Sequence, residues 1–246
     1  MNDDLKVLKH FLQMPLGSAD PVFNRFLEVP GSIFRGQSPE RFLYIRGYRK
    51  NRVLLVAHAD TAWDRNISAV DLLHEVYFEK GMACSGAEGV GIGADDRAGC
   101  CIVWLLKELG HSVLITDGEE TGLKGSSWLM ESPENSDIAQ EINDDHRFVV
   151  QFDRCNGTDF KCYKVGTPEF KEYVKKQTNF IDAGETRSTD ISMLCKSITG
   201  VNLSIGYYNE HHGSEFLNLA EWRHTLNLCK KWLAKPELPR FSRITF

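Results

Sequence analysis

The chain has 246 residues, with 29 Lys plus Arg against 34 Asp plus Glu and a formal net charge of −5. Hydrophobic residues make up 42% of it, enough for a sizeable core, and no basic stripe is present, which excludes a duplex nucleic-acid binder. The longest apolar run, residues 98–106, is far shorter than the roughly 20 residues that cross a bilayer, so neither nucleic acid nor membrane is expected as a partner.

In chain order, residues 3–13 read as a short amphipathic helix. Residues 41–48 (RFLYIRGY) and 52–57 (RVLLVA) read as strands, with Arg49-Lys50-Asn51 as the turn between them. Residues 74–80 suit another strand, and five glycines between Gly81 and Gly93 predict irregular backbone. A helical pattern runs from Arg97 to Leu109, followed by a compact apolar strand at 111–116 (HSVLIT). Helices are expected at 123–131 and 136–144, a strand at 147–152 (RFVVQF), a helix at 168–177 and a strand at 179–182. An apolar run at 200–208 precedes a long helix at 214–234. This alternation predicts an α/β fold, a three-layer α/β/α arrangement around a mixed, mostly parallel central sheet. No Pro/Gly/Ser-rich linker interrupts it, so residues 1–246 are expected to form a single domain. The N-terminus lacks the apolar core of a secretory signal. Seven cysteines with no CxxC pair suit a reduced, cytoplasmic protein.

Ligands of open α/β sheets bind beyond the carboxyl ends of the strands. Those ends carry His58-Ala59-Asp60, Asp117-Gly118-Glu119-Glu120, Asp153 and Tyr208-Asn209-Glu210-His211-His212, and Asp95-Asp96 precedes the helix at Arg97. Each segment alone has an ordinary explanation. Asp95-Asp96 suits a helix N-cap, Glu119-Glu120 suits a solvated surface, and Asp153 suits the start of a turn. Together they gather carboxylates that would repel one another without a cation. Imidazoles beside Asp and Glu form a donor set that zinc accepts. The Gly89–Ala94 stretch has a loose dinucleotide-like glycine spacing, but no buried strand precedes it.

The blocks VAHAD (56–60), GIGADDRAG (91–99), DGEETGLKGS (117–126), QFD (151–153) and YYNEHHGSE (207–215) resemble the co-catalytic di-zinc exopeptidases, a superfamily that includes tripeptidase T and the glutamyl and leucyl aminopeptidases. The resemblance spans His58 to Glu215. It implies two zinc ions, with manganese or cobalt as substitutes. His58 and Asp153 would hold one metal, Glu120 and His211 the other, and Asp95 would bridge both. Relatives often have a cis peptide after that aspartate. Asp60 would orient the His58 imidazole, and Glu119 would act as general base. His212 competes with His211 for the last ligand position. Two such ions need a shared carboxylate and lower the pKa of a water between them. A free carboxylate must then collect the proton.

Only 37 positions separate His58 from Asp95, and 58 separate Asp153 from His211. An inserted lid domain would need on the order of 100 residues, so a catalytic domain without a lid is expected. The implied activity is hydrolysis of an amide bond, first as an aminopeptidase on short peptides. A carboxypeptidase, dipeptidase or N-acyl-amino-acid deacylase would need a cation for the substrate carboxylate, for which Arg187 and Arg154 are the candidates. A non-catalytic metal-binding or regulatory homologue is the alternative from another class. Substrate-binding residues and oligomeric state are left open.

Overall fold

The computed structural model describes residues 3–65 and 75–243. Its main sheet has eight strands in the order β1 (Ser32–Gln37), β2 (Glu40–Ile45), β6 (Ser112–Thr116), β3 (Leu54–His58), β7 (Val149–Arg154), β10 (Gly200–Ser204), β8 (Asp159–Lys161) and β9 (Ile181–Asp182). The central strands β6, β3, β7 and β10 run parallel, as do β8 and β9. The pairings β1/β2, β2/β6 and β10/β8 are antiparallel. β3, β6 and β10 are buried along their whole length, as expected of parallel strands covered on both faces.

Successive side chains alternate between two apolar layers. Leu55, Ala57, Val113, Ile115 and Val150 pack on one face. That face is covered by α1 (Asp3–Leu12), α2 (Asp20–Leu27), α3 (Ala94–Leu106), α6 (Pro168–Thr178) and α8 (Leu219–Leu233). Leu54, Val56, Leu114 and Val149 pack on the other face, against α4 (Lys124–Glu131), α5 (Ser136–Asp145) and α7 (Asp190–Leu194). The fold is therefore the expected three-layer α/β/α arrangement with a mixed, mostly parallel sheet. In α8 the buried positions Trp222, Thr225, Leu226, Cys229, Trp232 and Leu233 form one helical stripe. Among the described residues no helix is long and apolar enough to cross a membrane.

Several elements depart from the sequence expectation. β2 and β3 are not neighbours in a hairpin, because β6 lies between them. The hairpin partner of β2 is β1, which follows α2; neither β1 nor α2 was expected. Within the glycine-rich stretch, β5 (Met82–Ser85) pairs with β4 (Val76–Glu79). Lys80 and Gly81 both adopt positive φ between them, the geometry of a tight two-residue hairpin turn. The strand expected at 74–80 thus begins at Val76, and its position 74 lies outside the described residues. The helix expected from 214 begins at Leu219. Asn218 caps it by accepting from the backbone N–H groups of Ala220 and Glu221. The preceding β12 (Phe216–Asn218) joins β11 (Tyr207–Tyr208), β5 and β4 in a second, four-stranded sheet.

Candidate metal centre

The chain leaves β3, passes through α3 to β6 on one side, then returns through α4 and α5 to β7 on the other. Their carboxyl ends flank a crevice where the direction of winding reverses. His58 ends β3, in register with Thr116. Val56 is in register with Gln151, so two residues further along His58 stands level with Asp153. Glu119 and Glu120 follow β6, and Asp95 sits at the entry to α3.

His58 is buried, with 1% exposure. Its Nδ1 lies 3.0 Å from the Asp60 carbonyl and 3.3 Å from the Asp60 carboxylate. Its Nε2 faces Asp95 Oδ1 at 3.0 Å and Asp153 Oδ1 at 3.3 Å. The second oxygen of Asp95 lies 3.2 Å from His211 Nε2, which is 2.7 Å from Glu120 Oε1. Asp95 therefore presents one oxygen to each imidazole. Both His211 and His212 are exposed, but it is His211, in the left-handed region (φ 63), whose Nε2 meets Asp95 and Glu120; among the described residues His212 forms no ion pair with the cluster. The Asp95–Asp96 peptide is cis.

The adjacent acids at 95 and 96 differ. Asp96 accepts from the backbone N–H groups of His58 (3.1 Å) and Gly99 (3.0 Å), so it ties β3 to the start of α3. The N-cap reading holds for it. The backbone is non-helical at both acids, and the regular helix starts at Arg97. Among the described residues, His58, Asp96 and Asp153 form one group with donor atoms within 4.8 Å of one another, and His58, Asp95 and Glu120 form another. With both Asp96 oxygens engaged by backbone, Asp95 is the carboxylate that faces the imidazoles.

Further residues fix these side chains. Asp60 accepts from the N–H groups of Glu119 (3.2 Å) and Glu120 (3.1 Å), so one carboxylate sets both the His58 ring and the Glu119-Glu120 backbone. Asp153 Oδ2 receives hydrogen bonds from Thr189 Oγ1 at 2.7 Å and Gln151 Nε2 at 3.0 Å, and Asn202 Oδ1 accepts from the Asp153 N–H. Glu215, almost fully buried, accepts from the N–H groups of Gly93 (2.8 Å) and Asp95 (3.1 Å). A Cβ on Gly91 would lie 2.4 Å from Glu215 Oε2, so glycine there gives the carboxylate room. The sequence reading did not assign roles to Gln151, Thr189, Asn202 or Glu215. Gln151 and Asn202 carried a usable signal, since a buried polar side chain inside an apolar strand needs partners.

The electrostatics express crowded negative charge. Burial opposes charging His58, but Asp153, Asp60 and Asp95 hold its pKa well above the ordinary histidine value. Hydrogen bonds that its imidazole donates to Asp95 and Glu120 raise the His211 pKa to about 10. Burial, then Asp153, pushes Glu119 up to about 9, and burial lifts Asp153 itself to about 6. Burial also raises Glu215 to about 7. Asp95 moves down: burial opposes its ionisation, and the imidazoles of His211 and His58 more than offset that. Such a cluster holds protons where a cation would otherwise serve.

The donors suit a divalent transition metal. They are two imidazoles and several carboxylates with no thiolate, a set that zinc, manganese and cobalt accept. Ligands bound tetrahedrally at about 2.0 Å stand about 3.3 Å apart, and the four imidazole–carboxylate separations here are 3.0, 3.3, 3.2 and 2.7 Å. Glu120 Oε1 is buried and has His211 Nε2 beside it at 2.7 Å, a contact that a metal held between the two would replace. Beside the cluster lies a cavity of about 320 Å³ lined by Asp95, Glu119, Glu120, Asp153 and His211. Cys155 also lines it, but burial pushes its thiol to about 11, too high for a thiolate nucleophile at neutral pH. Of the two cations named for a substrate carboxylate, Arg187 lines the cavity, whereas Arg154, also lining it, is engaged by Asp159 through two hydrogen bonds of 2.8 Å.

No protein-family model matches the chain, and no curated protein does. Solved structures share its fold. Aminopeptidase PepT from Bacillus cereus superposes with a TM-score of 0.62 at 11% identity, over 94% of this chain and 97% of that one. The TET1 peptidase of Pyrococcus horikoshii, which can assemble into a tetrahedron or a large octahedral shell, gives 0.62 at 14% identity over 93% and 98%. An endoglucanase from Thermotoga maritima gives 0.55 at 12% identity over 92% and 98%. At these identities the likeness is one of fold.

Proposed function

We propose that this chain is a metal-dependent amide hydrolase, an aminopeptidase on short peptides that uses two zinc ions, with manganese or cobalt as substitutes. The carrying observation is the position of Asp95, one oxygen 3.0 Å from His58 Nε2 and the other 3.2 Å from His211 Nε2. A single carboxylate so placed suits two adjacent cations. His58 and Asp153 would complete one site, and His211 and Glu120 the other. When bound, the metals would polarise a scissile carbonyl and make a water more acidic.

The chain's own groups do the rest. Nδ1 of His58 is turned to the Asp60 carbonyl, which leaves Nε2 for the metal. Asp60 holds the backbone of Glu119 and Glu120, so one carboxylate faces the substrate cavity and the next faces His211. Glu119 takes a proton from the attacking water and passes it to the leaving nitrogen. Its high pKa belongs to the cluster without cations; positive charge nearby brings it down toward the range a base needs. The peptidase fold of the similar structures supports an amide substrate. We read residues 1–246 as one catalytic domain without a lid, in a cytoplasmic protein.

Metal analysis combined with aminoacyl-anilide hydrolysis tests this. About two equivalents of metal and turnover abolished by a chelator are expected. Undiminished turnover after chelation would refute the metal mechanism, and bound metal without turnover on any amide would favour the non-catalytic homologue.

A further inference from the structure

The cavity beside the metal cluster carries charge of both signs. Its acids come from the ends of β6 and β7, the entry to α3 and, with Glu210, the loop after β11; its Lys and Arg side chains are Arg154, Lys161 and Arg187. Arg154 is neutralised by Asp159 in a two-point pair. The other two have no such partner. Lys161, the last residue of β8, is buried to 7% exposure. Its Nζ donates only to uncharged oxygens, the Thr186 carbonyl at 3.3 Å and the Thr186 hydroxyl at 3.1 Å. Among the described residues no carboxylate pairs with it. A buried ammonium without a counter-ion is unfavourable unless something supplies the negative charge. Arg187 lies one residue beyond Thr186, with its backbone in the left-handed region (φ 73). Its guanidinium forms no hydrogen bond or ion pair among the described residues, and it lines the same cavity.

We propose that Lys161 and Arg187 bind a carboxylate of the substrate, which makes the favoured substrates short and acidic. An ammonium anchored to Thr186 and an adjacent guanidinium suit one carboxylate, the ammonium as a point charge and the guanidinium as a fork. The cavity of about 320 Å³ has room for roughly ten water molecules. That matches a ligand of one or two amino-acid residues, so the anion and the scissile amide are close neighbours in the substrate. Burial first, then Arg154 and Arg187, lower the Lys161 pKa; a bound anion reverses that. This inference rests on the cluster being an amide-hydrolysing centre. The carboxylate is either the C-terminal one of a dipeptide or N-acyl amino acid, or that of an acidic side chain.

The test compares metal-loaded wild type with Lys161→Met and Arg187→Gln. One arm uses dipeptides with free or amidated C-termini. The other uses amidated peptides with Glu or Gln at the N-terminal residue. A preference of about tenfold or more in kcat/KM for one carboxylate form, carried mainly by KM, is expected. It should collapse toward one in both variants. The arm with the preference identifies the source. Equal rates on acidic and neutral members of both arms, or a preference that survives both substitutions, would overturn the proposal. Calorimetry with glutarate and its uncharged diamide keeps the two readings apart. If no peptide is cleaved, glutarate binding that weakens about tenfold in both variants sustains the anion site while the hydrolase reading falls. Glutarate binding that is absent, or equal in wild type and variants, overturns the anion site.

Discussion

Glu119 and Glu120 are adjacent, equally acidic in sequence and assigned opposite duties, so substituting each by its neutral isostere is the sharpest perturbation of the site. Glu120 Oε1 is buried and lies 2.7 Å from His211 Nε2. Glu120→Gln removes an anionic donor and leaves that site with His211 and the shared Asp95. Bound metal should fall from about two equivalents to about one. Glu119 lines the same cavity, and its pKa of about 9 means that the metal-free protein carries it protonated at neutral pH. Glu119→Gln mimics that protonated form, so stability and metal content should hold. Loss of a general base lowers kcat by about 10²–10⁴, or about 2.7–5.5 kcal/mol of transition-state free energy at 1.36 kcal/mol per tenfold. Elemental analysis after dialysis, with kcat on the best anilide, reads both effects. Full kcat in Glu119→Gln with normal metal, or equal metal loss in the two variants, would refute the division of labour.

Other outcomes follow from the same geometry. In chelated protein, His211 and His58 have raised pKa values, so their stabilisation is complete below about 6.5, the unfolded histidine value, and is lost as pH climbs, for His211 through about 10. Glu119 and Asp153 are raised as well, to about 9 and about 6. The folded state therefore keeps protons that the unfolded chain has released, and stability again falls as pH rises. Thermal melts should show a lower Tm at pH 9 than at pH 6 without metal, and a larger metal-induced rise at pH 9; a chelated protein more stable at pH 9 contradicts the cluster's electrostatics. Glu215→Gln leaves one of two buried N–H groups without an acceptor, costing about 1–3 kcal/mol, and should weaken metal binding by shifting Asp95. Gly91→Ala crowds the same carboxylate at 2.4 Å, so the double variant should lose less than the sum of the two, as denaturant melts of all four proteins would reveal. Trp222→Ala opens the interface of α8 with α3, where the indole N–H donates to Ala98 O at 3.1 Å, and should cost about 3–5 kcal/mol in urea unfolding.

The sequence exposed the fold where burial left one choice. LLVA and the VLI at the centre of SVLIT are apolar because β3 and β6 are covered on both faces, and the ends of both strands lie within one or two residues of expectation. It misled where one composition suits two structures. Phe216-Leu217 continues the apolar pattern of α8, yet pairs as a strand with Cys84 and Ala83; Asn218 stops the helix, and its capping role is visible only in three dimensions. Lys80-Gly81 contains a turn signal, but the short strand after it is lost among glycines. At the site, residues 58, 60, 95, 119, 120, 153 and 211 were legible because each follows or precedes a clear element, and parallel strands carry their ends to one edge. The supporting residues have weaker signatures. Glu215 served to set the register of His211, but its hold on the Gly93 and Asp95 N–H groups depends on a loop closing over 120 positions or more of chain. Lys161 had no signature, since the strand DFK that carries it is too short to recognise and reaches the cavity only through β10.

Charge balance links the two proposals. The cavity is lined by five acids, by Arg154, Lys161 and Arg187, and by His211; Arg154 is already paired with Asp159, and burial, with this acidic surplus, raises the pKa values of Glu119 and Asp153. Two divalent cations, if bound as proposed, would offset that surplus. Lys161 and Arg187 would then be the charges still without a counter-ion, in a partly water-excluded space where Coulomb interactions are stronger than in bulk water. A substrate carboxylate at that pair would supply one. Metal ions held at Asp95 would therefore do more than activate chemistry: by neutralising the acids they would let the cavity admit an anion, and Lys161, which has no carboxylate partner among the described residues, would set where it is held.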